Sequence, residues 1–173
     1  LKKEIQNLYS FFEAEARKKN LEFKLNLNCK EPEAVIKSDR SKLLSIATNL
    51  IKNALKYTQK GSIEIGCDRI NSHLEFYVKD TGIGIPEKLQ ENIFDRFVQV
   101  EHGYTRNYEG AGLGLSISKA YIEMLKGDIR VESEEGIGSI FYFKLPVTNT
   151  SSLSVKSALN EVSEPVPAPD KIK

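Results

Sequence analysis

Apolar residues recur along this chain with two different periods, which predict helices in some segments and strands in others. Residues 1–19 repeat apolar positions at helical spacing and predict an amphipathic helix. The apolar positions in it are Leu1, Ile5, Leu8, Phe12 and Ala16. Residues 21–27 alternate apolar and polar side chains, which predicts a strand. A second helix is predicted to be capped by Ser38 or Asp39 and to run to about Tyr57.

The middle of the chain predicts a hairpin followed by a glycine-rich turn. Strands are predicted over residues 62–67 and 73–79, joined by the turn sequence DRINS at residues 68–72. The segment DTGIGIP at residues 80–86 contains closely spaced Gly and Pro, so it predicts a turn. A short helix is predicted around residues 87–94.

The last third of the chain predicts a loop, a helix and a second hairpin. Residues 98–112 have no clear period and predict a long loop, whereas residues 113–125 return to helical spacing. The predicted apolar side of that helix carries Leu113, Ile117, Ala120, Tyr121 and Met124. Strands are predicted over residues 128–132 and 139–145, separated by the turn EEGIG. The Ser-, Glu- and Pro-rich residues 148–173 are predicted to form a flexible linker.

This order of elements predicts the fold class. Strands joined by hairpins favour a mixed, largely antiparallel sheet, and the amphipathic helices need an apolar surface to cover. We therefore predict an α/β sandwich with the helices packed on one face of the sheet.

Composition narrows the function classes. A length of 173 residues suits one domain with flanking sequence, and a formal net charge of +1 predicts neither a nucleic-acid surface nor a membrane surface. No apolar run approaches the roughly 20 residues that span a bilayer. The two cysteines, Cys29 and Cys67, could form one disulfide, but two reduced thiols are the favoured interpretation for an intracellular domain.

Two side-chain amides lie on one face of the second predicted helix. Asn49 and Asn53 are four residues apart, and Lys56 follows within a turn. The opposing apolar face carries Leu43, Ala47, Leu50, Ile51, Ala54 and Leu55. An amide oxygen suits Mg²⁺ and a lysine suits phosphate, although a plain solvated face would show the same pattern.

The turn DTGIGIP places a carboxylate where a strand ends. Asp80 there could accept a hydrogen bond from an amino group such as adenine N6, and Gly82 and Gly84 would let the backbone approach a ligand closely. An ordinary tight turn has the same composition, so this segment leaves both interpretations open.

The segment GAGLGL, residues 110–115, runs directly into a predicted helix. Free N–H groups and the positive dipole end at a helix start favour phosphate, while a flexible hinge is the alternative. The chain has no G-x-x-x-x-G-K-[ST] sequence, which argues against a P-loop. Leu115 stands where a dinucleotide-binding fingerprint would need its third glycine.

Taken together and in order, these segments resemble the histidine-kinase branch of the GHKL ATPase superfamily, whose nucleotide site is called the Bergerat fold. NLIKNALKYT is similar to the N box of that family, DTGIGIP to its G1 box, IFDRF to its F box and GAGLGL to its G2 box. The resemblance covers roughly residues 20–147, which are therefore the predicted ATP-binding catalytic domain.

The resemblance implies a role for each matching position. Asn53 would coordinate the Mg²⁺ that bridges the ATP phosphates, supported by Asn49, while Lys56 would contact phosphate. Asp80 would bind the adenine amino group. The remaining residues expected at the nucleotide are Tyr57, Gly82, Gly84, Ile85, Gly110, Gly112, Leu113, Gly114 and Leu115, and Phe94 and Phe97 would anchor the base of the lid over it.

One position distinguishes branches of that superfamily. Hydrolytic members carry a Glu four residues before the Mg²⁺-binding Asn, where it acts as general base on water. This chain has Asn49 there, and an amide cannot take up a proton at neutral pH. The prediction is therefore transfer of the γ-phosphoryl group to a histidine; a hydrolytic ATPase and a non-catalytic nucleotide sensor are the alternatives.

The family's acceptor histidine lies on a separate dimerisation domain. Neither His73 nor His102 is in a matching context, so the chain is expected to bind ATP without phosphorylating itself. Residues 1–19 are interpreted as the end of those dimerisation helices. The expected partners are the dimerisation domain and, downstream, a response regulator or receiver domain, and the expected setting is the cytoplasmic part of a membrane-anchored kinase.

Two positions depart from the pattern of the family. Ala111 stands where the G2 box usually has a hydroxyl-bearing residue, so the resemblance does not carry over that residue's phosphate contact, whereas the backbone cradle is still expected. Lys126 and Gly127 stand where the family commonly has two glycines, and Gly127 is expected to end the helix in the left-handed conformation.

Overall fold

The computed structural model describes residues 2–28, 39–98 and 112–147. Five strands form one sheet in the spatial order β1-β2-β3-β5-β4. The strands are β1 (Glu22–Leu27), β2 (Ser62–Ile70), β3 (His73–Asp80), β4 (Asp128–Glu134) and β5 (Gly138–Pro146). Only β1 and β2 are parallel; β2–β3, β3–β5 and β4–β5 are antiparallel. The predicted mixed, largely antiparallel sheet is confirmed.

The helices cover one face of this sheet. They are α1 (Lys2–Lys18), α2 (Arg40–Tyr57), the single-turn α3 (Glu87–Gln90) and α4 (Gly114–Met124). Alternate residues of β3 enter the core beneath them, because a strand directs successive side chains to opposite faces. On the other face Glu75 pairs with Arg130 and with Lys144, each across 3.4 Å. The layers therefore form the predicted α/β sandwich.

Helix α2 begins where the sequence predicted a cap. Of the two candidates, Asp39 is the N-cap: its Oδ1 accepts from the backbone N–H of Ser41 at 2.9 Å and from that of Lys42 at 3.2 Å. Five of the six predicted apolar residues of this helix are buried. Ile46, which was not predicted, is buried completely, whereas Ala47 is only half-buried.

Helix α1 belongs to the same core. Ile5, Phe12 and Ala16 are buried, as their spacing predicted, and lie in one apolar cluster with residues of α2 and the sheet. The helix contacts both β1 and α2. The described residues thus form a single folded unit that includes α1; a continuation of α1 into dimerisation helices stays a prediction.

Two predicted boundaries were wrong. Strand β2 continues to Ile70, which pairs with His73, so the turn contains only Asn71 and Ser72 rather than the five residues of DRINS. Ladder pairing with β3 extends the strand beyond the segment that alternates clearly. The helix predicted over residues 87–94 ends at Gln90, because the chain continues in tight turns that bury Ile93.

The predicted buried side of α4 was also wrong. Ile117 and Met124 are 45% and 66% exposed, whereas Ser118 and Ile122 are 2% and 0% exposed. The helix packs against α2, β4 and β5 through a face that includes a serine. The apolar spacing of α4 indicated the wrong side, because Ser118 is buried with a hydrogen bond from Asn49 of α2. The sequence of α4 alone does not reveal that partner.

The end of α4 differs from expectation as well. Lys126, and not Gly127, has the left-handed conformation, with φ of +58°. The N–H of Gly127 donates to the carbonyl of Ile122 at 2.9 Å and closes the helix. A Cβ at Gly127 would overlap the backbone of β5, so the glycine is needed for close packing.

Among the described helices, none combines the length and the apolar character that a membrane span requires. Cys67 is buried in β2, and the other cysteine, Cys29, lies outside the described residues, so the prediction of two reduced thiols stays a prediction. The predicted linker at residues 148–173 and most of the predicted loop at residues 98–112 also lie outside them.

Candidate nucleotide-binding site

A cavity of about 420 Å³ opens between α2, the turn after β3 and the start of α4. Its volume lies within the range of pockets that hold a cofactor or a small ligand. Eleven of the predicted site residues line it: Asn49, Asn53, Lys56, Tyr57, Asp80, Gly84, Ile85, Gly112, Leu113, Gly114 and Leu115. Three segments that are distant in sequence therefore meet at one pocket.

Helix α2 contributes one polar face to the cavity. Asn49 and Asn53 line it together with Lys52 and Lys56, since positions three and four apart share a side of a helix. Tyr57 follows at the last turn, with the Lys56 ammonium 4.9 Å from the centroid of its ring. This side of the cavity presents amide groups and positive charge.

Asp80 lies at the end of β3 and is only 6% exposed. Its Oδ1 accepts a hydrogen bond from the N–H of Gly82 at 2.8 Å, and the N–H of Ser139 donates to the same carboxylate. Burial raises the pKa of Asp80 to about 6, although both hydrogen bonds act in the opposite direction. The carboxylate is thus a buried acceptor that still ionises near neutral pH.

The turn after Asp80 is held against the β4–β5 hairpin. Gly84 has φ of +68°, and a Cβ there would overlap the carbonyl of Glu134. The N–H of Ile85 donates to Ser133 Oγ at 2.8 Å, and the carbonyl of Ile83 accepts from Gly136 at 2.8 Å. These bonds fix the backbone that forms the apolar wall beside Asp80.

Gly82 has a different place from the one predicted. It does not line the cavity; its N–H orients the Asp80 carboxylate instead. A Cβ at this position would come within 2.5 Å of the carbonyl of Tyr57 and 2.8 Å of Asp80 Oδ1. Gly82 thus permits close packing behind the site.

The glycine-rich segment supplies the third wall. Gly112, Leu113, Gly114 and Leu115 line the cavity, while Gly110 lies outside the described residues. Helix α4 begins at Gly114, and its N-cap, Leu113, offers no side-chain cap. Within the described residues, no side-chain cap occupies the backbone N–H groups at that helix start, which is the arrangement that suits an anion.

The two aromatic residues of IFDRF lie in different environments. Phe94 packs edge-to-face on Phe141, with ring centroids 6.4 Å apart. Phe97 is 72% exposed and does not line the cavity, and its predicted place at the base of a lid over the nucleotide stays a prediction. Its backbone N–H, not its ring, connects to the glycine-rich segment, by donating to the carbonyl of Gly112 at 3.0 Å.

Other lining residues were not predicted from the sequence. They are Lys52, Ala54, Ile83, Ile93, Val98, Ser139 and Phe141. Lys52 could have been found, because it stands three residues after Asn49 on the same helical face. Ser139 and Phe141 could not, because only the pairing of β3 with β5 brings them beside Asp80 and Val78.

Comparison with known proteins agrees with this arrangement. Residues 38–149 match the family described as Histidine kinase-, DNA gyrase B-, and HSP90-like ATPase. The chain belongs to this ATPase family. The matched region contains all four segments that resemble the boxes of the family.

Relatives within the ATPase family include sensor kinases. Histidine protein kinase 1 of Candida albicans is 41% identical over 139 residues, which are 78% of this chain and 6% of that protein. The autoinducer 2 sensor kinase/phosphatase LuxQ of Vibrio cholerae is 38% identical over 157 residues, 88% of this chain and 18% of that protein. The chain therefore spans less than a fifth of either relative.

Solved structures share the fold. The catalytic domain of histidine kinase ThkA gives a TM-score of 0.73 at 30% identity, covering 85% of this chain and 94% of that one. Full-length ShkA in complex with AMPPNP gives 0.74 at 28% identity, covering 85% of this chain and 30% of that one. ThkA in complex with the response regulator protein TrrA gives a TM-score of 0.69 at 29% identity, covering 86% of this chain and 40% of that one. The fold is the Bergerat fold of histidine-kinase catalytic domains.

Proposed function

We propose that this domain binds ATP with Mg²⁺ and transfers the γ-phosphoryl group to a histidine on a separate dimerisation domain. The proposal rests on one observation, that different kinds of polar group lie at different sides of one cavity. A buried carboxylate, Asp80, lies at one side, and the amides and lysines of α2 lie at another. An adenine amino group fits the first and a triphosphate fits the second.

The adenine end follows from the chemistry of Asp80. Its oxygens can accept from an exocyclic amino group, and the apolar side chains of Ile83, Ile85 and Phe141 line the same cavity. The carboxylate already accepts from two backbone N–H groups and can accept further hydrogen bonds, so a ligand that donates to it is preferred over one that presents another acceptor. We therefore assign adenine over guanine, whose oxygen at the equivalent position would face the carboxylate.

The phosphate end combines Lys52, Lys56 and the start of α4. Uncapped N–H groups and two ammonium groups present positive potential to one part of the cavity. At this end of the cavity, Mg²⁺ would have to be coordinated jointly by the protein and by the ATP phosphates. The described residues contain no cluster of three His, Cys, Asp or Glu side chains that could hold a metal. Mg²⁺ typically uses few protein ligands and completes its shell with phosphate and water, so Asn53 could supply one oxygen.

Phosphoryl transfer depends mainly on how the protein positions ATP and the acceptor histidine, and less on covalent chemistry by protein side chains. The β–γ bridging P–O bond would break and an N–P bond to the imidazole would form, leaving ADP and phosphohistidine. Bound Mg²⁺ would supply neutralisation of phosphate charge. Asn49 lines the cavity in place of a carboxylate base, which favours this transfer over attack by water. In a complete kinase a response regulator would then accept the phosphoryl group, and we place this domain on the cytoplasmic side.

The experiment supplies the acceptor as a separate chain. The dimerisation domain of the parent kinase is mixed with this domain, Mg²⁺ and ATP labelled at the γ position. The same dimerisation domain with its acceptor histidine changed to Gln is the control. We expect acid-labile, base-stable label on the first partner only. Rapid release of free phosphate would identify a hydrolytic ATPase, and ATP binding without either product would identify a nucleotide sensor.

A further inference from the structure

Asn49 contacts helix α4 with both ends of its amide. Its Nδ2 donates to Ser118 Oγ at 2.9 Å. Its Oδ1 lies against Gly114, where an added Cβ would overlap it. A residue expected to support a metal ion is therefore engaged by the helix that follows the glycine-rich segment.

The hydroxyl of Ser118 is the buried partner in this contact. It is 2% exposed, and a buried hydroxyl needs a hydrogen-bond partner. Within the described residues, the hydroxyl of Ser118 forms its hydrogen bond with Asn49. Ser118 stands four residues after Gly114, so both face α2 from one side of α4.

The contact lies between the two parts of the proposed phosphate site. Asn53 and Lys56 line the cavity from α2, and Gly114 and Leu115 line it from the start of α4. The N-cap of α4, Leu113, makes no side-chain cap bond, so the Asn49–Ser118 bond is a described contact that can help to set where the first N–H groups of α4 lie. A shift of about 1 Å between such groups can weaken binding and transfer strongly.

We propose that Asn49 is a positioning residue whose amide joins α2 to α4 and sets the spacing of the phosphate-binding groups. This inference rests on the proposed function, because it assumes that phosphate occupies the space between the two helices. It differs from a role in metal binding: the amide acts through Ser118 and Gly114, and its effect does not require Mg²⁺.

The test uses Ser118, which does not line the cavity. Ser118→Ala removes the acceptor of the Asn49 amide and preserves the volume of the core. Ser118→Thr retains the hydroxyl, and Ser45→Ala on the exposed side of α2 is the matched control. Calorimetry measures the affinity for ADP without metal and for adenosine, which lacks phosphate.

We expect Ser118→Ala to weaken ADP binding about tenfold, which is the effect expected from the loss of one ordinary hydrogen bond. Adenosine binding should change less than about twofold. Ser118→Thr should retain most of the affinity for ADP. Asn49→Ala combined with Ser118→Ala should be no weaker than Asn49→Ala alone, because the two side chains act as one unit.

Three results separate this inference from the proposed function. Unchanged metal-free ADP affinity in Ser118→Ala would overturn the inference, as would additive effects of Asn49→Ala and Ser118→Ala. Failure of the unaltered domain to bind ADP or ATP would instead overturn the proposed function.

Discussion

The carboxylate of Asp80 lies at the end of β3, with the N–H groups of Gly82 and Ser139 directed to it. Two effects compete there. Burial favours the neutral acid and the two hydrogen bonds favour the carboxylate; burial wins and raises the pKa to about 6. A chemically ordinary aspartate thereby becomes an acceptor whose state changes close to physiological pH.

Adenosine binding should depend on this ionisation. Above about pH 6 the ionised Asp80 can accept from the adenine amino group; below it, protonation turns one oxygen into a donor and leaves a weaker acceptor. The affinity should therefore rise with pH and level off above about 6, with a loss approaching tenfold for each unit below. Adenosine is the ligand of choice, since phosphates titrate in the same range.

Titration calorimetry between pH 5 and pH 7.5, on the order of one titration per half unit, would measure that profile. Asp80→Asn is the control: it should bind adenosine more weakly at neutral pH and show no inflection. If the unaltered domain bound adenosine equally well at both ends of this range, Asp80 would not be the adenine acceptor.

At the scale of single elements, α4 shows how tertiary contacts decide which side of a helix is buried. Its apolar spacing predicted burial of Ile117 and Met124, yet the helix buries Ser118 and Ile122. The serine is tolerated because Asn49 of α2 donates to it. The helix also ends with a strained residue, since Lys126 carries a positive φ that suits glycine better.

Lys126→Gly should stabilise the domain. Removing the Cβ relieves the left-handed strain, and the greater entropy of glycine in the unfolded chain offsets part of that gain, which leaves roughly 0.5–1 kcal/mol. Chemical denaturation would measure the free energy of unfolding. Lys119→Gly, an exposed change within α4, should lower that free energy by about 1 kcal/mol. A decrease for Lys126→Gly as well would mean that its conformation is not strained.

At the scale of the whole molecule, α1 completes the core. The matched family region begins at residue 38, but Phe12 and Ala16 are buried with residues of α2 and the sheet. The parallel strand β1 follows directly and pairs with β2, so the first part of the chain covers one edge of the domain. Any boundary drawn after residue 19 would remove part of this core.

Neighbouring phenylalanines allow a direct test of this packing. Phe12 is 1% exposed and Phe11 is 71% exposed. Phe12→Ala should lower the free energy of unfolding by about 3–5 kcal/mol, as expected for a large cavity in a core. Phe11→Ala should change it by less than about 0.5 kcal/mol. Equal small effects in denaturant titrations of both variants would show that α1 is not part of the folded unit.

Local patterns in the sequence determined several features of this protein. They are the strands, which follow from alternating apolar residues, the cap at Asp39, the polar face of α2 and the order of the boxes. These features depend on residues a few positions apart, so spacing alone predicts them. Only the tertiary structure decided that Ser139 and Phe141 join the cavity, that α4 turns its serine inward and that Asn49 faces Gly114. Each of those outcomes requires strand pairing or helix packing between segments about 60 residues apart, and periodicity carries no information about such contacts.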